Sequence, residues 1–331
     1  MNSNTVAEPE LTVTNRGIRP ADLPDGKREK FINSVTEWVT MRYGKPLWVS
    51  ASASIVAALP ATEATLRLSS SPLVIRIAGD PVGMERIRIV CESGGLWQKV
   101  ITTVPSPWGS AVIMECVHGD VLTTLSHWQA AFTSLAELHM TGPAPVGLGE
   151  ANYDWLRAEG YLADNDKYGF SHAWGQHYEE VTAALNIIDL QKKRWIHGSA
   201  HAGNMLVNEL SGTVRFVDAE RSGNGPAAVD VANLCASALL VNHDLPSDPL
   251  RLFLNQWEEH GGTIKELGSF PVFAAIIWAA VVISAWWPSR LGNANGAKWI
   301  RNVGETDVDR FYVTGMNIAL AGPNIIREQL Q

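Results

Sequence analysis

Cysteine is scarce. The three present, Cys91, Cys116 and Cys235, are odd in number and have no C-x-x-C spacing. That excludes a disulfide framework and a zinc knuckle, and apolar neighbours make a buried reduced thiol the expected state of each. Positive charge is also short. Lysine and arginine total 26 against 34 acidic residues, a net charge of −8, which argues against a broad nucleic-acid surface and leaves only a local cationic cleft. The first 25 residues are polar and lack an apolar run, so no secretory signal is expected. Long apolar runs are confined to 271–287, P-V-F-A-A-I-I-W-A-A-V-V-I-S-A-W-W. That run is short for a bilayer span, which needs about 20 residues, and it reads as a buried helix. The expected setting is the cytoplasm, with neither membrane nor nucleic acid as partner. Internal repeats and low-complexity segments are missing too.

What is present is a substantial core: 46% hydrophobic against 18% charged residues, in 331 residues that fit two lobes. Apolar periodicity predicts a helix over 27–43, ended by Gly44. Short β-like runs follow at 47–49, 54–59, 65–68 and 73–77, then a helix over 82–91 and a strand over 111–117, with Pro105 and Pro107 marking a connection. Helices are expected over 122–140, 152–164, 171–188, 227–240, 249–260 and 270–287. The layout is α+β: an arm over 1–25, an antiparallel-sheet lobe over 26–117 and a mostly helical lobe over 118–331.

Trp195 to Leu206 reads W-I-H-G-S-A-H-A-G-N-M-L, and Val214 to Asp218 reads V-R-F-V-D. Glycines at 198 and 203 argue against a regular helix, so His197 and His201 do not stack as zinc-binding histidines do. A His-His-Asp metal site with Asp218, as in an unrelated metal-dependent hydrolase, is the minor alternative. The stretch resembles the catalytic loop and metal-binding strand of the aminoglycoside phosphotransferase and choline kinase-like family, H-G-D-x-H-x-G-N followed by apolar-apolar-D. The resemblance implies a bilobal protein kinase-like fold that uses ATP and Mg2+. It also implies that Asn204 and Asp218 converge on the metal, which bridges phosphate oxygens.

The resemblance runs along most of the chain. Arg76, in L-V-I-R-I, stands where the family holds the nucleotide phosphates with a lysine or arginine, and Glu92 stands where the family places that cation's partner; Glu85 competes for the role. V-I-M-E-C-V before His118-Gly119 resembles the strand and hinge whose backbone, from Glu115 to Val117, would meet an adenine edge. The nucleotide-covering loop falls at 50–54, with Ser52 and Ser54 able to let backbone N–H groups approach phosphate, although no glycine is present. Leu135-Ala-Glu-Leu-His139 resembles the end of the long helix opening the second lobe. Asp230, in A-V-D-V-A, resembles the aspartate that braces the catalytic loop, and His197 belongs to the same structural frame.

One position departs: Ser199 stands where the family carries its catalytic aspartate. A serine hydroxyl is no base near neutral pH, and a positioned base contributes on the order of 10²- to 10⁴-fold. His201 and Glu220 are candidate replacements, or the acceptor loses its proton late, to the transferred phosphate. Two readings follow. One is a phosphotransferase acting on a hydroxyl of a small molecule or a peptide Ser/Thr. The other is a pseudokinase that binds nucleotide or a partner enzyme. For the acceptor, the acidic residues Asp154, Glu159, Asp164, Asp166, Glu179 and Glu180 suit either a cationic cleft ligand or a solvated helix face. Tyr153, Trp155, Phe170, Trp174 and Tyr178 have the spacing of core packing as well as of a pocket wall.

Overall fold

The computed structural model describes residues 20, 23–51, 54–77, 81–157, 168–241, 249–291 and 293–331. The arm expected over 1–25 falls mostly outside them. The fold class is α+β, and internal contacts divide the chain into two units. The first takes the residues up to Glu85 together with Val100–Cys116, and the second takes Arg86–Lys99 and Val117–Gln331.

In the first unit, α1 (Asp25–Tyr43) precedes β1 (Val49–Ala51), β2 (Ile55–Leu59), α2 (Glu63–Leu66) and β3 (Leu73–Ile77). Next come α3 (Pro81–Glu92), whose residues from Arg86 onward group with the second unit, then β4 (Val100–Ser106) and β5 (Gly109–Glu115). The sheet order is β1-β2-β3-β5-β4, antiparallel throughout. Strand alternation sends Ile55, Ala57, Leu59, Ile75, Ile77, Ala111 and Ile113 into one core with Phe31, Val35, Trp38 and Val39 of α1. The α1 set follows the i, i+4, i+7, i+8 rhythm of one helix face, and each large apolar side chain fully buried stabilises by roughly 1.5–3 kcal/mol. Trp108, in the β4–β5 turn, meets Phe31 and Trp38 edge-on. By the same alternation Arg76, opposite Val56 and Val112, lies on the other sheet face, where it is buried.

Two expectations here are corrected. Residues 65–68 are no strand: Thr62 caps α2, accepting from the Thr65 N–H while Thr65 Oγ1 accepts from the Thr62 N–H at 2.8 Å. This reciprocal box is a helix start that a short β-branched run conceals. Pro105 lies within a strand, because β4 is the sheet edge, where a missing N–H costs no ladder bond.

The second unit contains α4 (Leu125–Met140), a 3-10 turn at Asp154–Arg157, and α5 (Phe170–Asp189). Then follow β6 (Lys193–Ile196), β7 (Met205–Val207), β8 (Val214–Phe216), β9 (Gly223–Pro226), α6 (Ala227–Val241) and α7 (Pro249–Glu259). It closes with α8 (Phe270–Arg290), α9 (Asn293–Asn302), α10 (Val308–Ala321) and α11 (Pro323–Leu330). The helix expected over 152–164 appears as the 3-10 turn, and 158–164 lies outside the described residues. Helix α8 is long and apolar enough to cross a membrane, yet every residue from Phe273 to Ile283 is buried, among α5, α6, α9, α10 and α11. Its Trp278 indole donates to the Ile318 carbonyl at 3.1 Å, so even the polar edge is satisfied inside. Cys91 and Cys235 are buried thiols, and Cys116 is partly exposed.

Candidate active site

Two short antiparallel strand pairs frame the loop 197–204. β6 pairs with β9 and β7 with β8, both antiparallel. The loop leaves β6, turns through a 3-10 segment at Ala202–Asn204 and re-enters as β7. Asp230, in the first turn of α6 and fully buried, anchors the exit from β6. Its Oδ2 accepts the His197 N–H at 2.6 Å and its Oδ1 accepts the Gly198 N–H at 2.8 Å. His139 closes the set, with Nε2 at 3.2 Å from Asp230 Oδ2 while Nδ1 accepts from the Trp257 indole at 3.3 Å. Trp257 fixes the tautomer, so a neutral His139 donates to the carboxylate. A buried carboxylate needs such a full set of donors.

Gly198 is constrained in three ways. Its φ is +79°, a Cβ would lie 2.4 Å from the Arg221 carbonyl oxygen, and its own carbonyl accepts from the Trp155 indole at 3.0 Å. No other residue fits there.

At the far end, the β7–β8 pairing and the bond from Val217 N–H to the Asn204 carbonyl, 3.0 Å, bring residues 204 and 218 to the same end of the hairpin. Asn204 Nδ2 donates to the Ser199 carbonyl at 2.9 Å, which turns Oδ1 the other way. Asp218 is the only non-glycine among the described residues with positive φ, at φ 63°, ψ 52°. A left-handed non-glycine residue costs about 1–3 kcal/mol and persists where surrounding structure imposes it. An amide oxygen and a carboxylate are hard oxygen donors, and they fit Mg2+, which is held by one or two carboxylates plus substrate phosphates. Among the described residues no group of three His, Cys, Asp or Glu side chains has metal-site geometry, which removes the His-His-Asp alternative.

The two loop histidines are neutral in character. Burial lowers the His197 pKa against the pull of Asp230 and Asp218, and Nε2 donates to the Val217 carbonyl at 2.9 Å. Trp97 and Phe216 flank its ring. His201 is pushed down to about 4, chiefly by burial, with Asp218 opposing and His197 and Arg221 adding to the shift. Its Nδ1 accepts the Gly203 N–H at 3.2 Å, so in the neutral ring Nε2 carries the proton. An imidazole of such low basicity, with its lone pair engaged, is a poor general base.

The remaining expected residues divide between the two units. Arg76 and Ser54 are buried in the first unit, Ser54 at the β1–β2 connection; Ser52 lies outside the described residues. Glu115 ends β5, and Val117 begins the longer of the two segments of the second unit. Glu92 ends α3 in the second unit, where it accepts from Arg88 at 2.6 Å one helical turn away. Phe170 and Trp174 are core residues, Trp174 stacking on Trp278, while Tyr178, Asp154, Glu179 and Glu180 are exposed. Glu159, Asp164 and Asp166 lie outside the described residues.

Sequence reasoning missed three supports. Trp155 holds the Gly198 carbonyl. Arg86 donates to the carbonyls of Glu150 at 2.6 Å and Ser222 at 3.2 Å, stapling the segment after Asp218. Ser237 Oγ accepts the Ala202 N–H at 3.2 Å. Each is distant in the chain from its partner, and no local pattern announces it.

Residues 97–267, just over half of the chain, match the model of the phosphotransferase enzyme family APH, and the chain belongs to that family. Solved structures agree on the fold. An amicoumacin kinase in complex with AMP-PNP, Ca2+ and Ami is 14% identical with a TM-score of 0.59, covering 88% of this chain and 96% of that one. The ethanolamine kinase of Plasmodium vivax is 14% identical with a TM-score of 0.56, covering 94% and 99%. The choline kinase LicA of Streptococcus pneumoniae, also 14% identical, has a TM-score of 0.53 and covers 89% and 99%. No curated protein matches the chain in sequence.

Proposed function

We propose that this protein is a cytoplasmic ATP-dependent phosphotransferase acting on a hydroxyl of a small molecule or of a peptide Ser/Thr, with a loop that lacks a carboxylate base. The observation that carries this reading is the left-handed backbone of Asp218, strain that a site without metal-binding work has no reason to keep. Asn204 Oδ1 and the Asp218 carboxylate would hold Mg2+, which would supply positive charge to offset the negative charge developing on the transferred phosphoryl group. Arg76 supplies a permanent guanidinium charge for nucleotide phosphates, with Glu92 or Glu85 as its carboxylate partner. Ser54, with Ser52, and the chain from Glu115 to Val117 are the candidate phosphate-covering and adenine-binding stretches. With Ser199 in the loop and His201 a weak base, the acceptor's proton leaves late, to the transferred phosphoryl group. Phosphoryl transfer tolerates this, because positioning and electrostatics supply most of its acceleration.

Transfer from γ-labelled ATP in the presence of Mg2+, abolished by Asp218→Ala, is the expected result. A specific observation favours a second reading, the pseudokinase: His201 offers no replacement base. Nucleotide binding without transfer, rescued by Ser199→Asp, would establish it. Absence of nucleotide binding sinks both.

A further inference from the structure

Asp218 keeps a left-handed backbone, φ 63°, ψ 52°, and such a conformation persists only where the chain on both sides is held. Before it the hold is plain. The Val217 N–H donates to the Asn204 carbonyl at 3.0 Å, and the Val217 carbonyl accepts from His197 Nε2 at 2.9 Å. After it comes one 3-10 turn, Ala219–Arg221, closed by the Ser222 N–H on the Ala219 carbonyl at 3.0 Å. The strain at Asp218 therefore lasts only while the far end of that turn is fixed.

The far end is gripped by side chains and by backbone. The buried Ser222 hydroxyl donates to the Ile196 carbonyl at 2.8 Å and accepts from the Trp195 indole at 2.9 Å, which ties the exit to β6. The Asn152 N–H donates to the Arg221 carbonyl at 3.0 Å. Arg86 reaches in from α3, on the part of that helix grouped with the second unit. Its Nη1 donates to the Ser222 carbonyl at 3.2 Å and, more weakly, to the Arg221 carbonyl at 3.4 Å; its Nη2 donates to the Glu150 carbonyl at 2.6 Å. One planar guanidinium thus bridges two chain segments. Those segments also pair directly, the Ala151 N–H on the Asn224 carbonyl at 2.9 Å and the Asn224 N–H on the Gly149 carbonyl at 2.8 Å. The Arg221 carbonyl also lies against Gly198, so the same exit backs the loop 197–204. A charged fork onto carbonyls is strong and directional, and a lysine with its single nitrogen does not reproduce it.

We propose, building on the phosphotransferase reading, that Arg86 is a positioning residue for metal binding. By clamping the chain after Asp218 to the segment 149–151, it holds Asp218 in its left-handed conformation at the Asn204 end of the β7–β8 hairpin. Without the clamp the turn relaxes and Asp218 leaves that conformation. Mg2+ binding must then restore the strain, which costs about tenfold in affinity. The effect reaches the metal through the backbone of residues 219–222, so it differs from the contact role of Asn204 and Asp218.

The test uses the full chain and two variants. Arg86→Met keeps the apolar stem, and Arg86→Lys keeps the charge but has one nitrogen for two segments. In the first measurement a non-hydrolysable ATP analogue is titrated in EDTA and at a series of Mg2+ concentrations. Mg2+ is expected to tighten binding to wild type. Both variants should match wild type in EDTA and need about tenfold more Mg2+ for the same tightening. In the second, metal-free unfolding in denaturant is followed with aspartate or glycine at position 218. Glycine has no left-handed strain to release. Arg86→Met should therefore lower the unfolding midpoint more in an Asp218→Gly chain than in wild type, a coupling that plain fold support does not give. An unaltered Mg2+ requirement overturns the proposal, as do additive midpoints or an affinity loss equal in EDTA and in Mg2+. A normal Mg2+ requirement in Arg86→Lys alone also overturns it, because charge and not the two-segment clamp would then act. If Arg86→Met fails to fold, Arg86→Lys carries both measurements. Coupled midpoints in a chain that binds no nucleotide would reject the phosphotransferase reading and keep the clamp on Asp218. Nucleotide binding and transfer with additive midpoints would do the reverse.

Discussion

The two halves of the loop 197–204 are held by different means. The first half, at His197 and Gly198, hangs on side chains brought from afar: Asp230 on α6 and Trp155 on a separate turn. The second half, from His201 to Asn204, is held by bonds within the loop itself, from its backbone and from the His201 and Asn204 side chains, and by the β7–β8 hairpin, with Ser237 adding one bond. Distant anchoring concentrates stability in few residues, whereas local bonding spreads it; the strained residue, Asp218, follows the hairpin that the second half opens. The departure from the family pattern, Ser199, sits at the junction of the two.

Breaking the first half at its anchor should have the largest effect. Asp230→Ala leaves the N–H groups of His197 and Gly198 and the His139 ring without their acceptor in a buried site, and a loss of about 3–5 kcal/mol in denaturant unfolding is expected. Acid should act on the same loop through its histidines in the metal-free protein. The folded pKa of His201, about 4, lies below the ordinary 6.5, and that of His197 is lowered too. The unfolded chain therefore takes up protons first, so stability is full above pH 6.5 and falls as pH drops towards 4. His201→Gln should flatten the unfolding-versus-pH curve over that window.

Gly198→Ala forces a side chain into left-handed backbone against the Arg221 carbonyl, and should cost about 1–3 kcal/mol in the same unfolding assay. The smallest change has the opposite sign. Asp218→Gly removes the backbone strain after the β7–β8 hairpin and should stabilise by about 1 kcal/mol, while Mg2+-dependence of ATP affinity disappears. A variant that loses both stability and Mg2+-dependence would mean that Asp218 supports the fold more than it strains it.

Legibility in the sequence followed the range of the interactions involved. The helix α1, the strands β2 and β3, the helix α8 and the loop residues from His197 to Asp218 were readable, because period, turn residues and motif spacing are local properties. The reading failed at 65–68, where two threonines form a cap rather than a strand, and at β4, whose edge position excuses a proline that local rules count as a breaker. Helices α9–α11 were not foreseen, and neither were the bond of Trp155 to the loop and the role of Arg86. The indole of Trp155 meets a carbonyl 43 residues away, and the guanidinium of Arg86 meets one 136 residues away. Side-chain bonds to backbone over such distances leave no periodic trace.

Helix α8 has a consequence for the end of the chain. From Phe273 to Ile283 it leaves no side for water, and α9, α10 and α11, which lie beyond the stretch matched by the family model, pack against it. A chain cut after Leu291 would present an apolar rod with the length and composition of a bilayer anchor. Such a fragment would be drawn to membranes or to other copies of itself, so α9, α10 and α11 complete the cover that α8 needs.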